Sequence, residues 1–222
     1  MDNIGISLLH IQDAAQSFKM ICFRLLNQAY FNLMTQHEVN KDWEENAITE
    51  KIVDCMNILP ETKKNFITVF TEKKLKLHNA TSPQSSVNNL PRIDITVGGF
   101  GWNFDEIERI AYYMEAKNLY SQNFKKTGRS NSISAKAYAK RYVNTGVDHI
   151  LNGYYPYNTL LLGYVLVGTI NDAIEIINQA LDKELRNSEN LAISNNKDFP
   201  NLTFGLSHHP SNKNIEHCFL LF

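Results

Sequence analysis

The sequence has few of the features that define several large protein classes. It has only three cysteines, Cys22, Cys55 and Cys218, and no CxxC pair. That number fits a reducing compartment and gives neither a disulfide framework nor zinc-finger spacing. No apolar stretch reaches the roughly 18 to 20 residues that span a bilayer, since the best run, Leu160–Val167, is strand-sized. The N-terminus lacks a basic region followed by a long apolar run, so we expect a soluble, cytoplasmic protein with no membrane partner.

An excess of charge of one sign is also absent. The chain has 22 Lys and Arg against 23 Asp and Glu, a formal net charge of −1. This argues against a protein that coats nucleic acid, although a local basic groove remains compatible with it. The 222 residues are enough to close a hydrophobic core. We treat residues 1–222 as a single domain in which residues 1–40 form an N-terminal helical extension.

Hydrophobic periodicity divides the chain into helices and strands in an order typical of α/β folds. Helices are predicted at residues 8–37, 42–59, 134–151 and 171–185, the second ending at Pro60 and the third capped by Ser134. Strands are predicted at residues 66–70, 92–97, 109–117, 160–167, 202–206 and 215–222. Residues 79–91 are the most loop-like segment. The sequence therefore predicts a mixed central sheet flanked by helices.

Two of the predicted strands carry residues with catalytic potential. Alternation in RIDITV (92–97) puts Asp94 on the polar face of its strand. In RIAYYMEAK (109–117), Glu115 and Lys117 are two residues apart, so both side chains leave the same face. If the strands pair through the glycine-containing connection at 98–105, one face presents two carboxylates and an ammonium group.

Cleavage of a phosphodiester bond needs this combination of groups. Two carboxylates hold a hard cation such as Mg²⁺ or Mn²⁺, which neutralises charge on the phosphate and acidifies a water molecule. A lysine within reach orients the water or stabilises the charge of the transition state. The backbone carbonyl of Ala116 is a further candidate metal ligand. The alternative, that Asp94, Glu115 and Lys117 are ordinary polar residues on the solvated face of a half-buried sheet, remains open.

A third acid precedes these strands on a predicted helix. Glu45 continues the apolar stripe of that helix, and a carboxylate on such a stripe is costly unless it is paired or bound to metal. The stripe consists of Ile48, Ile52, Met56 and Leu59. The alternative is that Glu45 is a half-exposed residue of the first turn, favoured by the helix dipole. Glu44, at the edge of the stripe, is the second candidate for the helix acid.

These residues resemble the motif of the PD-(D/E)XK nuclease superfamily. Its core pattern is an acid on one strand and (D/E)XK on the next, often with a glutamate on the preceding helix. Asp94 (in PRIDI) matches the first acid, Glu115-Ala116-Lys117 (in YMEAKNLY) matches the second motif, and Glu45 matches the helix acid. One departure is that an isoleucine, Ile93, precedes Asp94 where the pattern has proline.

Later segments are similar to restriction-endonuclease-like proteins of bacterial defence loci. They are RYVNTGVDHILNGYY (141–155), LLGYVLVG (161–168), and SHH (207–209) with IEHCFLLF (215–222). The resemblance implies a restriction-endonuclease-like core and a Mg²⁺- or Mn²⁺-dependent endonuclease that cleaves DNA in an anti-phage or restriction system. A non-catalytic subunit of the same fold and a ribonuclease remain alternatives. The near-neutral charge suggests targeting by a protein partner or a homo-oligomer.

A basic cluster follows the predicted ExK strand. Its members proposed to bind nucleic acid are Lys125, Lys126, Arg129, Lys140 and Arg141. Such residues form either an ordinary solvated surface or a set of phosphate contacts, and the sequence leaves both readings open.

Histidines gather near the end of the chain. His208, His209 and His217 lie close to Cys218, but adjacent residues of a strand point to opposite faces. We therefore expect structural histidines and not a metal cluster. Ser207 with His209 lacks the setting of a nucleophile elbow, so a hydrolase triad is not predicted.

Overall fold

The computed structural model describes residues 3–74, 92–99, 111–194 and 196–222. In these residues the chain forms six α-helices, α1 (Asn3–Gln36), α2 (Glu45–Ile58), α3 (Pro60–Lys64), α4 (Ala135–Tyr142), α5 (Asp148–Leu151) and α6 (Ile170–Lys183). It also forms seven strands, β1 (Ile67–Lys74), β2 (Arg92–Gly99), β3 (Ala111–Tyr120), β4 (Leu160–Val167), β5 (Ala192–Ser194), β6 (Thr203–His209) and β7 (Lys213–Leu221). The predicted loop at 79–91 and most of the predicted 98–105 connection lie outside the described residues.

The seven strands form one mixed sheet in the order β1-β2-β3-β4-β7-β6-β5. β4 runs parallel to both of its neighbours, β3 and β7, whereas the other adjacent pairs are antiparallel. The expectation of an α/β fold with a mixed sheet, flanking helices and an N-terminal helix is confirmed. No helix in the described ranges is long and apolar enough to cross a membrane.

Two hydrophobic clusters cover the two faces of the sheet. The first contains buried residues of α1 and α2, and the second contains buried residues of α4, α5 and α6. β4 contributes to both clusters because alternate residues of a strand point to opposite faces. Its composition, LLLGYVLV, is apolar throughout because a central strand with parallel neighbours is covered on both sides. From Phe18 onward, α1 contributes to the first cluster.

The predicted helix at 134–151 is not a single regular helix. Ser134 caps it as expected, with its hydroxyl accepting from the Ala137 amide at 3.4 Å. The helix then widens into a π-helical turn at Val143–Val147 before α5 begins. Pro60 follows the end of α2, as predicted. It is also the first residue of the short helix α3, a position that suits proline.

Candidate active site

The site forms where β2 and β3 separate. Their backbone pairing runs from Gly98 opposite Ala111 to Ile95 opposite Met114 and extends no further toward Asp94. The next amide of β3 on the side of β2 is that of Ala116, and it donates instead to Oδ2 of Asp94 at 2.8 Å. A buried amide without a strand partner needs another acceptor, and the Asp94 carboxylate provides it. The divergence of the strands therefore fixes the position of this carboxylate.

Glu45 accepts a hydrogen bond from the next free amide along the same edge of β3, two residues beyond the amide that Asp94 binds. Its Oε2 accepts from the backbone amide of Asn118 at 2.9 Å. Glu45 is the first residue of α2, where the helix dipole favours a negative charge. The four apolar residues that follow it on the predicted stripe are all buried. Glu44 points away from this edge and contacts Arg129, so the structure brings Glu45, and not Glu44, to the other two acids.

The ammonium group of Lys117 lies at the centre of the three acids. It donates to Oε1 of Glu115 and, at 2.8 Å, to the carbonyl oxygen of Ala116. Its Nζ is also 3.9 Å from Oε1 of Glu45 and 4.0 Å from Oδ2 of Asp94. Lys117 is 5 % exposed, so a monovalent cation group is held inside an almost closed set of oxygen atoms.

Glu115 is the most deeply buried acid of the three, at 3 % exposure. Burial raises the pKa of Glu115 to about 8, although the charge of Lys117 opposes the shift. One carboxylate oxygen, Oε1, accepts from Lys117 and from the hydroxyl of Tyr155, the latter at 3.0 Å. The other oxygen, Oε2, is buried and makes no hydrogen bond to any described residue. An acceptor without a donor at this depth is costly.

The donor atoms at this site fit a hard divalent cation. All are oxygens, from three carboxylates and the carbonyl of Ala116, which is the set that Mg²⁺ and Mn²⁺ prefer. Oε2 of Glu115, which has no hydrogen-bond donor, is a further carboxylate oxygen that could bind such a cation. Within the described ranges, no three His, Cys, Asp or Glu side chains are positioned to hold a metal ion as they stand. Because Nζ of Lys117 lies between the acids, a metal fits only after this ammonium group moves outward.

The predicted nucleic-acid contacts are in different environments. Lys125 and Lys140 are exposed. Lys126 is buried, and its Nζ contacts the carbonyl oxygen of Trp43 at 3.0 Å and a carboxylate at 3.2 Å. This burial removes the Lys126 ammonium from the surface. Arg129 is largely exposed but paired with Glu44.

Arg141 connects the basic residues to the acidic site. Its guanidinium donates to Oε1 of Glu45 at 3.1 Å, and its side chain is 48 % exposed. Three carboxylates, Asp94, Glu45 and Glu115, therefore share two cations, Lys117 and Arg141. With Glu115 protonated, as its pKa of about 8 implies near neutral pH, the cluster is formally neutral (2 − 2 = 0). With Glu115 ionised, it carries one formal negative charge (2 − 3 = −1), which a more highly charged cation would compensate.

Sequence patterns did not identify Tyr155 or His149 as residues near the site. The hydroxyl of Tyr155 donates to Glu115 and lies 3.5 Å from Nδ1 of His149. Both residues follow the π-helical turn: His149 lies in α5, and Tyr155 lies in the irregular segment after it. The proximity of the segment to Glu115 is a result of tertiary packing, so spacing along the chain carries no signal of it.

Two of the histidines near the end of the chain, His209 and His217, form a buried network with Ser207, whereas His208 is exposed. The Ser207 hydroxyl lies 2.6 Å from Nε2 of His209 and 2.8 Å from Nε2 of His217. Nδ1 of His209 contacts Glu189, which also binds Arg186. Ser207 is fully buried, so its hydroxyl cannot reach a substrate. His209 and His217 are buried and hydrogen-bonded, as expected for structural histidines.

No family model, no curated protein and no solved structure matches the chain. Functional inference therefore depends on the motif residues and on their arrangement in space. The resemblance to PD-(D/E)XK nucleases remains an expectation.

Proposed function

We propose that this protein is a divalent-metal-dependent nuclease with a restriction-endonuclease-like core, which cleaves DNA as part of a bacterial defence or restriction system. The observation that carries the proposal is the position of Lys117. Its ammonium group lies among oxygens of Glu45, Asp94, Glu115 and Ala116. These oxygens are ligands that suit a hard divalent cation, and a metal-assisted phosphodiester cleavage can use a lysine within reach of them.

Each residue has a distinct role in this proposal. Asp94, Glu115 and the carbonyl of Ala116 would hold the metal, and Glu45 would complete the ligand set directly or through water. A bound Mg²⁺ or Mn²⁺ supplies charge neutralisation at the phosphate and a more acidic water. When Lys117 is displaced from the cation position, it remains within reach to orient that water or to stabilise the charge that develops on the phosphate.

A non-catalytic subunit of the same fold is the second candidate, and one observation favours it. Lys117 and Arg141 already neutralise most of the charge of the acids, and both Glu115 and Lys117 are buried. Such a closed cluster also suits a purely structural role. The two proposals differ in whether Mg²⁺ opens the cluster and supports cleavage.

Cleavage assays on plasmid DNA, single-stranded DNA and RNA test the proposal. We expect cleavage with Mg²⁺ or Mn²⁺, none in EDTA, and a loss of about 100-fold or more in Asp94→Asn. Asp54→Asn is the matched control, because Asp54 is exposed on α2 and outside the cluster. Its rate should equal that of the wild type. Cleavage that persists after full chelation, or an unimpaired Asp94→Asn protein, would contradict the two-carboxylate mechanism.

A further inference from the structure

An exposed tyrosine, Tyr154, stacks on a half-buried histidine, His149, in the segment that also carries Tyr155. The ring of Tyr154 stacks on the imidazole of His149, with ring centroids 4.9 Å apart and planes inclined by 27°. Tyr154 is 52 % exposed, so much of its ring surface faces solvent. Large exposed aromatic residues of this kind are common at binding surfaces because they offer apolar area at a small entropic cost.

The backbone holds this pair in place. The carbonyl oxygen of His149 accepts from the amides of both Tyr154, at 2.8 Å, and Tyr155, at 3.3 Å. The turn between them includes Gly153 at φ = +75°, a conformation that favours glycine. Asp148, the residue before His149, is bound by Arg186 at 2.9 Å. The stacked rings are therefore preorganised, and binding a flat ligand requires little further ordering.

Tyr155 connects the pair to the acids. Its hydroxyl lies 3.5 Å from Nδ1 of His149 and donates to Oε1 of Glu115 at 3.0 Å. One buried tyrosine therefore separates the stacked rings from the most buried carboxylate of the cluster. His149 lies between Tyr154 and Tyr155, with ring centroids 4.9 Å and 5.5 Å away. A base that stacks on the free face of Tyr154 is therefore separated from Glu115 by His149 and Tyr155, and its strand must continue past them to reach the acids.

We propose that Tyr154, supported by His149, is a stacking platform for an unpaired nucleobase, and that the substrate is single-stranded nucleic acid. This inference rests on the proposed function, since the acids are taken to bind a phosphate of the same strand. In a duplex the faces of the bases are covered by their neighbours, and only the edges are accessible. An aromatic ring therefore selects strands whose bases are free to turn outward, whatever their sequence.

Binding of a fluorescein-labelled oligo(dT) tests the platform separately from catalysis. Anisotropy is measured with Ca²⁺ in place of Mg²⁺, and a gel verifies that the oligonucleotide stays intact. Tyr154→Ala should bind oligo(dT) about tenfold more weakly, the loss expected from one stacked base. Tyr154→Trp should bind at least as tightly as the wild type. An abasic strand of equal length, which has phosphates but no bases, should bind equally to wild type and Tyr154→Ala.

Tyr157→Ala is the matched control. Tyr157 is in the same segment and 50 % exposed, but its hydroxyl contacts the amide of Asn214 at 2.6 Å and its ring forms no stack with His149. Its replacement should leave oligo(dT) affinity unchanged. Equal losses for Tyr154→Ala and Tyr157→Ala would overturn the platform, as would a Tyr154→Ala loss that is equally large on the abasic strand.

Blunt duplex DNA separates the substrate classes. The wild type should bind it more weakly than oligo(dT), and equal or tighter binding of the duplex would overturn the assignment to single strands. Because the measurement needs no cleavage, a protein that shows the Tyr154 effect but never cuts with Mg²⁺ contradicts the proposed nuclease function alone. A Tyr154→Ala protein that cuts with Mg²⁺ and binds oligo(dT) as tightly as the wild type contradicts the platform alone.

Discussion

Arg141 donates a hydrogen bond from Nη2 to Oε1 of Glu45 at 3.1 Å, which joins a predicted phosphate contact to a predicted metal ligand. Neither residue can perform its proposed task fully while the pair is intact. A metal that draws Glu45 inward frees the guanidinium for a phosphate, and a phosphate that draws Arg141 outward frees the carboxylate. Metal and substrate binding should therefore favour each other, as thermodynamic linkage requires of coupled sites.

Replacement of Arg141 by alanine tests this coupling. In Arg141→Ala we expect Mn²⁺ binding by calorimetry to be tighter by up to about fivefold, because a partly exposed ion pair is worth about 0.2–1 kcal/mol. Oligonucleotide binding should weaken in the same variant. Arg129→Ala is the matched control, since Arg129 pairs with Glu44 and not with Glu45. If both variants bind Mn²⁺ with equal affinity, Arg141 does not restrain Glu45.

Lys117 should have opposite effects on stability and on metal binding. Lys117→Ala removes a buried cation from three acids, which costs about 3 kcal/mol of folding free energy in the absence of metal. Mg²⁺ should recover most of that loss, because ligand binding to the native state adds stability and no ammonium group competes. Cleavage should remain at least about 100-fold below wild type. Thermal unfolding with and without Mg²⁺, alongside single-turnover cleavage, measures both effects.

Lys126 provides the control for Lys117. It is also a buried lysine, but its partners are Glu44 and the carbonyl of Trp43. Lys126→Ala should lose stability without gaining a larger response to Mg²⁺ than the wild type.

A folded Lys117→Ala protein that cuts at the wild-type rate would remove the strongest support for the nuclease proposal.

Much of the fold could be predicted from local periodicity. The β4 strand falls at the predicted residues 160–167, and α2 and α6 fall within three residues of their predicted limits. The π-helical turn at Val143–Val147 was not predicted, because the apolar spacing of 134–151 is that of a regular helix. Gly146 in this turn lies close to β4, where an added Cβ would be 2.9 Å from Leu161. The short edge strand β5 was also missed, because three exposed residues carry no alternation.

The candidate site was only partly accessible from the sequence. Alternation along β3 places Glu115 and Lys117 on one face, and both lie there in the structure beside Asp94. The pattern gave no indication that Lys117 is buried among the acids, or that Tyr155 contacts Glu115 across 40 residues of chain. Burial depends on how α2 and the segment that carries Tyr155 pack against the middle of β3, which is a property of the assembled layers.

The exposed lysines give a prediction about salt. If Lys125 and Lys140 contact phosphates, each alanine variant should weaken oligonucleotide binding and reduce the slope of log K against log[salt] by about 0.7 to 0.9. Lys64→Ala is a suitable control, because Lys64 is exposed at the end of α3. This helix follows the C-terminal end of α2, whereas Glu45 is at the N-terminal end. If all three variants have equal slopes, these lysines belong to the ordinary surface.

The buried histidine network predicts how stability depends on pH. His217 is fully buried, with Nδ1 2.8 Å from the Tyr142 hydroxyl and Nε2 2.8 Å from that of Ser207. Burial lowers the pKa of His217 to about 3, and it also lowers the pKa of His209. In the unfolded chain the pKa of each returns to its ordinary value of about 6.5.

Between about pH 6.5 and pH 3, the unfolded chain takes up a proton at His217 that the folded chain does not. The free energy of unfolding should therefore fall with pH below 6.5, by up to about 1.4 kcal/mol per pH unit from this residue. In His217→Gln the slope of the free energy of unfolding against pH, between pH 6 and pH 4, should decrease by close to the contribution of one proton, about 1.4 kcal/mol per pH unit. His208→Gln, at an exposed position on the same hairpin, should keep the wild-type slope. Urea unfolding at several pH values measures these slopes, and an unchanged slope in His217→Gln would show that protonation of this residue does not limit stability in acid.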